Sequence, residues 1–145
     1  MARAGQVVEV AVPFVWLGMV GAISFLEAPL KFRAPGITVG LGLGIGRLVF
    51  RALNAVEIGL LAVLAAVGEA GSLPGAGWLL VAGLAVLLAV QVLVLRPRLD
   101  RRAVQLVAGR TPPPSRQHLV YIALEVVKVV MLPGLGVVLA TRVLR

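Results

Sequence analysis

Four long apolar runs alternate with short polar segments along the chain, over 6–28, 44–67, 78–95 and 116–141. A helix rising about 1.5 Å per residue needs roughly 20 apolar residues to cross a hydrocarbon core about 30 Å thick, and each run is of that order. Pro29, with Pro35 and Gly36 behind it, is expected to end the first run. The glycine-rich stretch Gly40–Gly46 (GLGLGIG) before the second reads as a helix start or a re-entrant piece packed closely on protein. Backbone groups in lipid must be bonded internally, and glycine lets another helix approach. Residues 68–77 form a turn between antiparallel helices, and Trp78 follows where aromatic side chains anchor at the interface. The third run has no charge and a single strongly polar residue, Gln91, so it is expected to face lipid. Beyond it, LDRRAVQLVAG reads as a short surface helix and RTPPPSR as an extended linker. Ser115 is placed to cap the last helix, and Pro133–Gly134 to kink it. The expected fold is all-α: a single polytopic membrane domain over 1–145, an antiparallel four-helix transmembrane bundle in up-and-down order, without internal repeat.

Composition narrows the class. With 60% hydrophobic residues, a mean hydropathy of +1.04 and only 14% charged residues, the chain is far from the roughly one-quarter charged average of soluble domains. The net charge of +8 is concentrated in the connections, as in multi-pass membrane proteins, so the expected partner is the lipid bilayer and not nucleic acid. Nine basic residues (Lys31, Arg33, Arg47, Arg96, Arg98, Arg101, Arg102, Arg110, Arg116) fall on one side, against Arg3, Arg142 and Arg145 on the other. The first side is expected to be cytoplasmic, with both termini outside the cytoplasm and the protein in the cell membrane. Residues 1–28 are read as a retained span and not a leader, because the apolar run is long and carries Glu9. The chain has no cysteine, which excludes disulfides, thiolate metal sites and a cysteine nucleophile.

The candidate chemistry lies in ionisable residues inside the spans, where a charge costs at least about 2.5–3.5 kcal/mol on insertion scales. His118, Tyr121, Glu125 and Lys128 fall on one helical stripe; Arg47, Arg51, Asn54 and Glu57 fall on a second; Glu9, Trp16, Ser24, Glu27 and Lys31 share a third. The second and fourth spans enter the bilayer from the same side. Shared depth therefore predicts Glu57 near Lys128, Asn54 near Glu125, and Arg51 near Tyr121 and Glu125, with Glu27 and Lys31 closing the ring. A cytoplasm-facing polar cavity is expected, lined by Glu27, Lys31, Arg47, Arg51, Asn54, Glu57, His118, Tyr121, Glu125 and Lys128. Three carboxylates against four cations make it mildly positive, which suits a small anion, an anionic amphiphile or protons. The lone His118 completes no metal site, GLGLGIG lacks the strand and Lys-Ser/Thr ending of a phosphate loop, and no catalytic group or cofactor is indicated. The expected function is transport or binding in the membrane, with self-association to enclose enough space. A structural or assembly subunit of a larger complex is the alternative, and an enzyme acting on a lipid-like substrate the third.

WLGMVGAISFLEAPLKFRAPG, GRLVF and LRPRLDRR together resemble small four-span families around the bacterial copper-resistance D-type membrane proteins and the vertebrate transmembrane protein linked to cisplatin resistance. The matching residues are Trp16, Gly18, Phe25, Pro29, Pro97 and Asp100, and the resemblance spans about two-thirds of the chain. It implies a transport or tolerance role. The chain departs from those families in lacking cysteine and any Met-rich or His-rich set that could ligate copper.

Overall fold

The computed structural model describes residues 2–71 and 73–144, with the side chains from residue 4 onward. Arg145 and the side chain of Arg3, both counted in the orientation argument, lie outside the described residues. The chain folds into four helices long and apolar enough to cross a membrane: Ala4–Arg33, Val39–Gly71, Gly75–Val107 and Gln117–Val143. No strand occurs among the described residues. The connections over 34–38 and 108–116 share one end of the bundle, the loop end; the start of the first helix, the end of the fourth and residues 73–74 share the other, the termini end. The chain is an integral membrane protein with an all-α, four-helix fold. Exposed Leu48, Leu79, Leu93 and Val130 belong to the apolar outer surface that lipid requires.

The helices overrun their expected ends. At about 1.5 Å per residue, the 33-residue second and third helices are roughly 50 Å long and project beyond a core of about 30 Å. The basic segment 96–107 is thus a continuation of the third helix and not a separate surface helix. Pro29 likewise fails to end the first. A proline ring clashes with the carbonyl four residues back, and before both Pro29 and Pro97 the helix widens into π turns, over Gly21–Glu27 and Val90–Leu95. There the Ala28 N–H donates to the Ile23 carbonyl and the Arg96 N–H to the Gln91 carbonyl, five residues back in each case. The carbonyls that the rings would strike, Phe25 and Leu93, lie inside these widened turns. The fourth helix also continues through Pro133, and Ser115 Oγ accepts the Gln117 N–H at 3.2 Å at its start.

The glycine stretch is helical from Val39 onward. A Cβ on Gly42 would lie 2.3 Å from Phe32 Cε1, and one on Gly46 would lie 3.0 Å from Lys31 Nζ. Gly42 leaves room for the Phe32 ring where the first helix closes on the second, and Gly46 leaves room for the Lys31 ammonium. The apolar core, built around Val12, Val20, Leu64, Leu84, Leu132 and Leu139, packs on the termini side of the bundle's midpoint. The third helix does not simply face lipid: 33% of its most apolar window is buried, as in the fourth helix, against 22% for the second.

Candidate functional site

At mid-bundle all four helices place a polar side chain in one dry layer. Glu57 Oε1 accepts the indole N–H of Trp16 at 2.7 Å and the ammonium of Lys128 at 2.5 Å. Lys128 also donates to Glu125 Oε1 at 3.2 Å, one helical turn back on its own helix. Glu125 is held by two further donors, the Gln91 amide at 2.8 Å on Oε1 and the Ser24 hydroxyl at 3.3 Å on Oε2. Ser24 and Gln91 both sit in the π turns, which set the faces on which these residues emerge. Trp16, Glu57, Gln91 and Lys128 are completely buried and Glu125 is 1% exposed.

With both carboxyl groups ionised, two carboxylates against one ammonium leave one negative charge in excess. Two acceptors in this layer, Glu57 Oε2 and Gln91 Oε1, are buried with no hydrogen-bond partner among the described residues. An unmade bond at a buried oxygen is costly, most of all on a carboxylate, so this is a place prepared for a donor. Next to the layer, the Tyr121 hydroxyl donates to Asn54 Oδ1 at 3.2 Å, and the Tyr121 ring meets Phe50 edge-on with centroids 5.7 Å apart.

Positive charge gathers elsewhere, at the loop end. Arg96, Arg47 and Arg51 converge on Asp100 at 3.1, 3.7 and 3.6 Å. Lys31 pairs with Glu27 at 3.2 Å, and the Lys31 and Arg96 cations lie 5.6 and 5.3 Å from the Phe50 ring centre. The residues expected to line one mildly positive cavity fall into two separate groups. A packed layer of two carboxyl groups and one ammonium lies at mid-bundle, and a cluster of cations lies where the helices meet the loops.

No family model, curated protein or solved structure matches this chain.

The ten residues singled out from the sequence therefore separate. Glu57, Glu125 and Lys128 form the centre, with Asn54 and Tyr121 beside it. Glu27, Lys31, Arg47 and Arg51 belong to the loop end, and His118 is exposed on the first turn of the fourth helix. Glu57 and Lys128 pair as shared depth predicts. Arg51 instead turns outward to Asp100, because a long guanidinium stem reaches the interface at less cost than it enters the layer. Asn54 bonds Tyr121 in place of Glu125. Gln91, Ser24, Trp16, Arg96 and Asp100 complete the two sites although none was among the ten. Glu9, on the first helix's stripe, pairs with Arg142 at 3.0 Å and clamps the termini end.

Proposed function

We propose that the protein is a small membrane transport or binding protein whose working group is the Glu57–Lys128–Glu125 centre, and that the species it takes up is a proton. The observation that carries this reading is the unbalanced carboxylate charge, sealed in the layer beside two acceptor oxygens without partners. One proton neutralises the layer and supplies a missing donor. An anion would add charge of the wrong sign, so of the three solutes compatible with the sequence the proton is favoured. Access is from the loop end, where Tyr121, Asn54 and Ser24 continue the polar path. On the termini side the leucine core closes the layer. With basic residues concentrated at the loop end, that access faces the cytoplasm.

A second reading draws on the same packing. The network ties all four helices into one chain of side-chain bonds through Glu57 and Glu125, as a device that fixes register in a subunit of a larger assembly. Glu57→Gln separates the two. The amide oxygen still accepts from Trp16 and Lys128, and the layer becomes charge-balanced, but its surplus carboxylate is gone. On the transport reading this variant inserts and folds normally yet fails to restore a strain lacking the protein. On the register reading it restores the strain fully.

A further inference from the structure

We infer that the arginine cluster at the loop end binds a phosphate-bearing anion, carried by an anionic phospholipid head group or present as free phosphate. This site is separate from the proton centre and does not depend on it. Three guanidinium groups share the single carboxylate of Asp100, leaving two positive charges in excess. Only Arg96 reaches Asp100 at hydrogen-bonding distance, 3.1 Å. Arg47 and Arg51 stand off at 3.7 and 3.6 Å, and their side chains remain 33% and 67% exposed, so their outer donors face open space. The Nε–H groups of Arg47 and Arg96 and the Asp100 Oδ1 between them are all buried without a hydrogen-bond partner among the described residues, so the donors open to an added anion are the exposed guanidinium ends of Arg47 and Arg51. Unsatisfied guanidinium donors with surplus positive charge call for an acceptor-rich anion, and the planar fork of arginine matches the oxygens of a phosphate.

Depth puts the cluster at head-group level. Arg96 follows Gly75, the start of the third helix, by a length of about 30 Å of helix, the thickness of the hydrocarbon core. Beyond this cluster the same helix carries Arg98, Arg101 and Arg102 along a separate open cleft of about 360 Å³, bordered by Pro112–Pro114 and not lined by Arg47, Arg51 or Arg96. Arg101 Nε donates to the Pro97 carbonyl and Arg102 to the Pro113 carbonyl, which fixes both stems while leaving other N–H groups to face the cleft. Basic pockets between helices at this level are suited to anionic lipid head groups. The Phe50 ring, between Lys31 and Arg96, holds the cluster on the bundle.

Ligands that bind the folded state raise its unfolding midpoint, so thermal unfolding in an uncharged detergent reads the site. The probes are phosphatidylglycerol, phosphatidylcholine and inorganic phosphate. Phosphatidylglycerol is expected to raise the midpoint of the wild type while phosphatidylcholine leaves it unchanged, and added sodium chloride should shrink the shift. In Arg51→Gln, whose side chain is mostly exposed and dispensable for folding, the apparent affinity should fall roughly tenfold, and Arg47→Gln/Arg51→Gln should abolish the shift. An equal shift from inorganic phosphate, lost in the same variants, assigns the site to a soluble phosphate. Equal shifts in wild type and the double variant, or no shift with either anion, overturn the inference.

Discussion

Lys128→Met should be among the most damaging single substitutions in the bundle, with a loss of about 3–5 kcal/mol measured by unfolding in detergent. Among the described residues the Lys128 ammonium is the one cation touching Glu57 and Glu125, and all three side chains are buried. Methionine fills nearly the same volume, so packing is almost unchanged and the effect isolates charge. With the cation gone, two carboxylates remain in a dry layer with only the neutral donors of Trp16, Gln91 and Ser24. Adding Glu57→Gln to Lys128→Met removes one of those charges and should recover a large part of the loss. This coupling is the signature of direct contact. Additive losses in the double variant would show that the two groups act independently.

The second large effect runs the opposite way. Replacing Glu57, Glu125 and Lys128 together by leucine and methionine removes every charge from the layer, and apolar replacement of a buried ionic triad is commonly neutral or stabilising by about 1–4 kcal/mol. Here the gain should be only partial at first. The Trp16 indole and the Gln91 amide lose their acceptors, at about 1–3 kcal/mol for each stranded donor. Adding Trp16→Phe and Gln91→Leu removes those donors, and the five-fold variant should unfold at a higher temperature than the wild type. Such a protein should be fully inserted and without activity. A five-fold variant that unfolds well below the wild type would mean that the polar layer is needed for folding itself.

The spans were legible because a run of about 20 apolar residues admits little besides a membrane helix. Their ends were not. Pro29 reads as a terminator and the third apolar run stops at Leu95, yet both helices continue through Pro29 and Pro97 behind upstream π turns, a backbone adjustment with no sequence signature of its own. Glu57 and Lys128 could be paired from sequence because both spans enter from the loop end, so equal distance along each means equal depth. The same reasoning misplaced Arg51, whose flexible side chain chooses its depth independently of its backbone. Gln91 was read as part of a lipid-facing helix, although an amide amid hydrocarbon must find a partner, and that requirement already pointed inward. Trp16 stands on the first span's polar stripe but carries no assigned partner there, and Asp100 enters only through a family resemblance; the structure places one on Glu57 and the other among three arginines.

On the transport reading the Glu57–Lys128–Glu125 centre holds one exchangeable proton. Infrared difference spectroscopy of the protein in lipid bilayers, recorded through a pH titration, tests it most directly, because a protonated buried carboxyl has a C=O stretch distinct from that of a carboxylate. One such band is expected, growing as pH falls and fading as it rises, and missing from the Glu57→Gln/Glu125→Gln variant. A wild type whose spectrum shows no buried protonated carboxyl at any pH at which it remains folded, or a band that survives in the double variant, would contradict it.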